Sequence, residues 1–470
     1  INEDLKEKNQ IYVSGLIGSK KSFFVNSIFE ANKGSTIYVL DNREKAAYHL
    51  NDLQKISKKL PLFLPTSFRK GFDIDLLDNN SVMLRCDVLN KLNLNNKEII
   101  VTYSDALVEK VLNKKNISSK TFLLKKNDNI SLDFVNETLF ELNFKRVDYV
   151  SDPGEFALRG GLIDVFSYSN DKPYRIEFFG NKIDSIRTFD VVNQCSIEYL
   201  NEVSILANIQ DKSDINLRQP ILSFINKDCV FLFENIDSTI ESFEKANKKF
   251  FEKNDSLKNN FNDNIFTDAR KFELELKKFK CIYLNKMNKN SIDFNSLPQP
   301  NFKKDFKLFV NHLNDNHASE IRNYIFCSSN SQKERLTKII NELSDNTKFE
   351  CIVNPLYQGF IDNDENLSCY TDHQLFERYH KFRLKNGYSN KQAISIKVLS
   401  QLSVGDYITH FDHGIGVFGG LQTIEINKKK HEALKILYGE RDLLYVSIHS
   451  LHKISKFNGK DGSKPKIYKL

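Results

Sequence analysis

Alternating strand-type and helix-type segments over the first hundred residues predict an α/β chain. A glycine-bearing loop between the first strand and helix points to a P-loop-like parallel sheet of degenerate type. Two clusters of short strands, near 155–189 and 405–448, add an inserted α+β module and a C-terminal SH3/Tudor-like β-barrel. With 470 residues, 40% of them hydrophobic, the chain is long enough for three or four domains, and the expected architecture is multidomain.

The elements follow in order. Ile11-Tyr12-Val13 reads as a strand, and Phe23, Phe24, Ile28 and Phe29 recur near helical spacing. Gly34 closes that helix, and Thr36–Leu40 is the next strand. Arg43 to Leu53 is again helical, and Ile99 to Thr102 is a further strand. This alternation implies parallel strands covered by helices.

The loop Gly15-Leu16-Ile17-Gly18-Ser19-Lys20-Lys21-Ser22 nearly fits a phosphate-binding loop. Gly15, Gly18, Lys21 and Ser22 are in register, but Lys20 stands where a glycine should precede the lysine. That glycine lets backbone amides approach the phosphates with no side chain in the way. A working site also needs a carboxylate on a second strand to organise magnesium. The best candidate is Glu234, after the apolar run Cys229–Phe233, and it stands alone, without a second acid. The reading is an inert nucleotide fold, with weak anion binding and a functional ATPase as the alternatives. Lys21→Ala is then expected to leave the fold intact.

From Asp152 to Asp190 the chain reads as a small sheet. Phe156–Leu158 and Leu162–Phe166 are strand runs around Gly160-Gly161, and Tyr174–Phe179 leads into the turn Gly180-Asn181. Arg159, Arg175 and Arg187 recur among these strands. Such a sheet is either half-buried with solvated arginines or a docking face.

After Leu206 the chain returns to the first domain through Cys229–Phe233, and Glu241 to Asn262 reads as a lysine-rich surface helix. Pro298-Gln299-Pro300 marks a boundary. Ile325–Ser329 followed by Gln332–Leu343 starts a small α/β domain at 303–375, to which no chemistry is assigned. Residues 376–401 form a basic linker in which Arg378, Lys381, Arg383, Lys385, Lys391 and Lys397 interleave with Tyr379, Phe382 and Tyr388. A solvated helical linker and a nucleic-acid contact are both open there. The final segment holds strands at Gly405–Phe411, Leu421–Ile426, Ala433–Tyr438 and Leu443–Ile448.

Composition excludes several classes. The net charge of +7 permits nucleic-acid contact without demanding it. No apolar run approaches the ~20 residues needed to span a bilayer, and no membrane partner is expected. The start, INEDLKEKNQ, has no apolar signal core, so a cytoplasmic chain is expected, and its opening on Ile suggests a fragment or trimmed chain. Seven scattered cysteines without a C-x-x-C pair argue for reduced thiols and no metal centre. His410, His413, His449 and His452 lie on strands and turns whose spacing does not converge on a zinc ion.

Three segments carry a family resemblance. PGEFALRGGLIDVF with PYRIEFFGNKIDSIRTFD resembles the module shared by UvrB and the transcription-repair coupling factors (Mfd), which binds UvrA in that family. VGDYITHFDHGIGVF with LKILYGERDLLYVSIHSLHKIS resembles the RNA-polymerase-interacting domain of those factors and the CarD-type regulators. The degenerate loop module ahead of them agrees with the same family. The resemblance implies a UvrB-like domain at 1–121 and 206–300, a UvrA-binding module at 122–205 and a CarD-like domain at 402–470. It also implies docking roles for Arg159, Arg175 and Phe179 toward UvrA, with substitutions there expected to spare the fold. Gln422, Ile424 and Ile426 match the strand that meets the polymerase β subunit by β-augmentation, and a core role for Ile424 is the alternative. The family's full-length members continue into an ATP- and magnesium-dependent DNA translocase, a helicase-type ATP hydrolase whose motor motifs are missing from this sequence. The implied function is therefore the recruitment half of a coupling factor in nucleotide excision repair, needing no cofactor of its own. A divergent UvrB-like, ATP-dependent damage-binding protein and a CarD-type regulator are the alternatives.

Overall fold

Runs of β-branched and aromatic residues bounded by glycine or polar turns form the strands of the first domain. β1 (Gln10–Ser14) leads into helix Lys20–Ala31, and β2 (Thr36–Leu40) leads into helix Arg43–Ile56. β3 (Leu62–Leu64) is followed by helix Asn79–Asn93, β4 (Ile99–Tyr103) and the short β5 (Val111–Leu112). The computed structural model describes residues 8–68, 78–191, 194–209, 217–253, 265–284, 291–378, 403–410, 413–426, 429–439, 442–447, 454–456 and 465. The chain divides into two compact units, one of residues 1–119 with 209–385, the other of 120–208 with 386–470.

The inserted module begins with β6 (Thr121–Lys125), helix Leu132–Glu141 and β7 (Lys145–Arg146). It continues through β8 (Glu155–Arg159), β9 (Leu162–Val165), β10 (Tyr174–Phe179), β11 (Lys182–Phe189) and β12 (Ser196–Leu200), and ends on β13 (Glu202–Leu206). β13 pairs antiparallel with β6, so the module leaves and returns at one place. Its main sheet has the order β12-β11-β10-β9-β8-β7. Tyr174, Ile176 and Phe178 point to the core with Phe156, Ile163, Ile183 and Ile186, and alternation turns Arg175, Glu177 and Phe179 outward.

The chain returns through β14 (Arg218–Gln219), β15 (Val230–Phe233), helix Ile236–Lys253, β16 (Lys280–Leu284) and β17 (Ile292–Asp293). Seven strands then form one sheet in the order β17-β1-β16-β15-β2-β4-β3. Every ladder in it is parallel, as the alternating pattern predicts.

The small domain is a second α/β body built on β18 (Ser296–Pro298), β19 (Arg322–Phe326), β20 (Glu350–Ile352), β21 (Phe360–Asp362) and β22 (Leu367–Thr371). Its sheet order is β18-β21-β22-β19-β20, so it starts at Ser296, ahead of the expected 303. Pro298 is tolerated because β18 is an edge strand, where a missing N–H donor costs no ladder bond. Of the basic linker at 376–401, residues 379–401 lie outside the described residues; Arg378 donates to Gln332 and stacks on Phe376.

The C-terminal strands are β23 (Tyr407–His410), β24 (Gly414–Ile426), β25 (Lys429–Leu437), β26 (Leu443–Ser447) and β27 (Ile454–Lys456). They form an antiparallel sheet in the order β26-β25-β24-β23-β27. Among the described residues no ladder joins β26 to β27, so the expected closed barrel is seen as a five-stranded sheet. A bulge between Phe418 and Leu421, with Gly420 at φ +94°, bends the long β24.

Candidate functional site

The glycine-bearing loop lies where the sequence places it, between β1 and helix Lys20–Ala31. Gly15 and Gly18 have positive φ values of +75° and +54°. A Cβ at Gly18 would sit 2.8 Å from the Gly359 carbonyl oxygen, closer than real Cβ contacts come. The crowding comes from the small domain, which fills the mouth of the loop. The Ser19 amide donates to the Gln358 carbonyl at 3.0 Å, and the Gln358 amide donates to the Ser19 hydroxyl at 3.0 Å. The first amide of the expected phosphate cradle is therefore taken by the chain itself.

The two lysines diverge by one helical step. Lys20 turns to the small domain, 2.7 Å from Asp362 and 2.8 Å from Ser296, with its ammonium 5.0 Å from the Phe294 ring centroid. Lys21 turns to the parallel sheet and pairs with Glu234 at 2.7 Å, at the end of β15. Lys45 holds the other oxygen of Glu234 at 3.1 Å. Burial would push Glu234 up, but Lys21 and Lys45 prevail and hold it below the ordinary carboxylate range. Because Glu234 is buried, Lys21→Ala would strip it of its closest partner, so the expectation of an untouched fold does not fit this pairing. An isolated strand-end acid gave no sign in the sequence of which lysine it would meet.

Ser22, at the magnesium-ligand position of such a loop, is buried between His49 Nδ1 at 2.8 Å and the Asp52 carboxyl at 3.3 Å. Asp52 also accepts the Tyr357 amide at 2.7 Å, and Tyr357 stacks on Tyr48 with ring centroids 4.1 Å apart. Burial lowers the His49 pKa to about 3 and raises Asp52 to about 7. A cavity of about 520 Å³ adjoins the helix, walled by Phe23, Phe24, Phe294, Tyr324 and Phe360. Lys20, Arg322, Asp362, Asp364 and Glu365 line the same cavity, so charged groups of both signs stand beside its aromatic wall.

In the inserted module, register aligns Ala157, Asp164, Arg175, Arg187 and Tyr199 in one cross-strand row. Asp164 is fully buried and is gripped from both sides. Arg175 forks it with bonds of 2.7 and 2.9 Å, and Arg159 contacts it as well. Arg175 also donates to the Gln194 carbonyl at 2.9 Å and lies over the Phe189 ring. Arg187 pairs with Glu177 at 2.7 Å and lies over Tyr199. Phe179 stands at the tip of the β10–β11 hairpin and is 84% exposed. Arg159, Arg175 and Phe179 thus share the outward face, and Asp164, which no sequence motif marks as their partner, ties the two arginines down.

In the C-terminal sheet Gln422 is exposed on β24 and accepts from the Tyr445 hydroxyl at 3.2 Å. Ile424 pairs with His431 and Ile426 with Lys429 in the β24–β25 ladder. The side chains of Ile424 and Ile426 lie outside the described residues. The His410 and His413 rings are 4.8 Å apart, and His449 and His452 lie outside the described residues. Among the described residues no group of three or more potential ligands gathers for a metal, and no helix is long and apolar enough to cross a membrane.

Fold and site define a P-loop-like α/β scaffold that carries a small α/β domain and two further β-sheet modules. The family model for the UvrB interaction domain matches residues 122–210, and that for the CarD-like/TRCF RID domain matches 402–458. The chain is similar to the transcription-repair-coupling factor of Bacillus subtilis (strain 168), 26% identical over 554 residues covering 100% of this chain and 47% of that protein. It is similar to the transcription-repair-coupling factor of Staphylococcus aureus (strain MSSA476), 25% identical over 430 residues covering 74% of this chain and 36% of that protein. The chain thus resembles the N-terminal part of a bacterial transcription-repair coupling factor, with a UvrB-type module and a CarD-type domain. It spans less than half the length of these relatives.

The His49–Asp52 pair yields a pH test. Between pH 6.5 and about 3 an unfolded His49 takes a proton that the folded one refuses, so folding weakens as pH falls. Between 3.8 and about 7 the folded Asp52 keeps a proton that the unfolded chain has released, so folding weakens as pH rises. The two slopes oppose and largely cancel from pH 4 to 6.5. Asp52→Asn keeps the acceptor for Tyr357 and removes one slope. We expect its unfolding free energy to rise with pH relative to that of the parent chain over that window, by up to about 1.4 kcal/mol per pH unit. Equal pH profiles for the two would contradict this.

Proposed function

We propose that this chain is the recruitment part of a transcription-repair coupling factor acting in the cytoplasm. Its 402–470 region binds the β subunit of RNA polymerase, and its 122–205 module binds UvrA. ATP- and magnesium-driven translocation on DNA belongs to the whole protein, outside these residues. Phe179 carries the UvrA reading. An aromatic ring left in water at a hairpin tip does nothing for the core beneath it, and it sits with Arg159 on a face that faces away from that core. The UvrB interaction domain matched over 122–210 supports the same reading. A UvrB-like ATPase would first have to empty a loop whose Ser19 amide and Lys21 are already engaged.

For the polymerase end, β23 pairs with β24 only over residues 414–417, so 421–426 has β25 on one side and, among the described residues, no ladder on the other, which is the edge through which one sheet can extend another. Closure of this region into a barrel and the outward placement of Ile424 are part of the proposal. Ile424→Arg should abolish binding to the polymerase β subunit while leaving the melting temperature in place, because an arginine at an open strand face reaches water. Loss of folded structure in that variant would assign Ile424 to the core, through a buried unpaired charge.

The docking residues separate in a parallel test. Phe179→Ala should weaken UvrA binding by on the order of 1–3 kcal/mol and change stability by less than about 0.5 kcal/mol. Arg175→Ala should instead cost the fold roughly 3 kcal/mol, the low end for a broken buried pair because Arg159 still holds Asp164. Calorimetric titration with UvrA beside thermal melts reads both quantities. UvrA binding at parent strength by the Phe179 variant would remove that residue from the interface.

We propose also that the chain neither binds nor hydrolyses ATP. The expected result is no phosphate release above background with ATP and magnesium, and no shift in melting temperature on adding them. Turnover that vanishes in a Lys21→Ala variant whose thermal melt shows it still folded would overturn this and promote the ATPase reading.

A further inference from the structure

The outward face of the inserted module continues past Arg159 into a groove that neither the sequence motifs nor the family resemblance singled out. It is a cleft of about 660 Å³ lined by Arg146, Val147, Asp148, Tyr149, Leu158 and Arg159. β7 forms one edge of the sheet and runs parallel to β8, with Arg146 opposite Phe156. Three residues further on, Tyr149 meets Arg159, whose guanidinium lies 5.1 Å from the ring centroid. Tyr149 is 56% exposed, Arg146 is exposed, and Arg146 has no ion-pair partner among the described residues.

We propose that this groove receives an acidic peptide segment supplied by the partner that docks on Arg159 and Phe179. The proposal rests on the docking reading above and extends its surface. Charge selects the occupant. Arg146 presents an unengaged fork for a carboxylate. Asp164 fixes Arg159 through one nitrogen only, which leaves its other donors for a second carboxylate. Tyr149 and Leu158 between them give an apolar floor for a neighbouring side chain. A nucleic-acid strand fits less well. Asp148 lines the same groove, and Asp164 and Glu177 already neutralise Arg175 and Arg187 on the adjoining face. A continuous run of phosphates would meet those carboxylates, whereas a peptide can alternate acids with backbone amides.

The test uses the whole chain with purified UvrA, reading Kd by calorimetry at two salt concentrations and melting temperature in parallel. Arg146→Glu is expected to raise Kd about tenfold or more and to flatten its salt dependence, and Arg146→Lys to retain most of the affinity. Tyr149→Ala is expected to weaken binding about fivefold, with melting temperatures unchanged because both side chains are exposed. If Phe179→Ala weakens binding while Arg146→Glu binds like the parent chain, the groove proposal fails and the docking face stands. If neither variant changes Kd, the docking reading fails with it. Binding of a single-stranded DNA 20-mer that Arg146→Glu abolishes would overturn the peptide assignment in favour of nucleic acid.

Discussion

The bond from the Ser19 amide to the Gln358 carbonyl is the contact on which the first unit turns. A helix begins at Lys20, and its first amides have no intrahelical acceptors. In a nucleotide-binding loop phosphate oxygens satisfy such amides; here the Lys20, Lys21 and Ser22 amides turn back to the Ile17, Gly18 and Ser19 carbonyls, and the Gln358 carbonyl of the small domain takes the Ser19 amide. The 355–359 segment is held by Asp52 on the Tyr357 amide, by the Tyr48–Tyr357 stack, and by Leu356 and Phe360 packed with Phe23 and Ile56. Polar clasp and apolar contact sit side by side, so the small domain and the parallel sheet lock at the loop itself. Gly15 and Gly18 therefore serve the approach of protein backbone.

Much of this architecture was legible because local chemistry and global fold agree. Thr36–Leu40 and Tyr174–Phe179 read as strands and are strands, since β-branched or aromatic residues alternate or cluster between turn residues. The Gly180-Asn181 turn was legible for the same reason, with Gly180 at φ +62°. What stayed hidden depends on partners distant in sequence. Pro298 reads as a breaker until an edge strand is supplied for it. Lys20 reads as an obstruction in a phosphate cradle until Asp362, more than three hundred residues on, draws it away. The ends of the C-terminal sheet escape for another reason: alternation gives faces to a strand, but closure depends on which strands lie at the rims.

The outward face of the inserted module shows how one buried carboxylate sets the roles of the residues around it. Arg159 and Arg175 share one buried carboxylate, Asp164, and the register of β8, β9 and β10 makes that sharing possible. A buried carboxylate needs its partners more than an exposed guanidinium needs a carboxylate. Arg175 is thus first a structural residue, and whatever it offers a partner is pre-positioned by its fork on Asp164. Preorganised donors lose little freedom on binding, which favours recognition by geometry as well as charge. Phe179 has no such second duty, and so exposure and function can be separated there.

The two adjacent lysines carry the remaining step. They start one residue apart on a helix, which turns their side chains about 100° from each other. Lys20 goes to a carboxylate of the small domain and Lys21 to a carboxylate of the parallel sheet. Both acids are nearly buried, so a triphosphate seeking either lysine would have to leave a buried carboxylate unpaired and displace the Gln358 carbonyl as well. Each of those steps costs on the order of kilocalories per mole. Lys20 in place of that glycine is thus one part of a wider arrangement, in which protein groups engage the Ser19 amide and both lysines. Such a loop ties the small domain to the parallel sheet through protein groups alone.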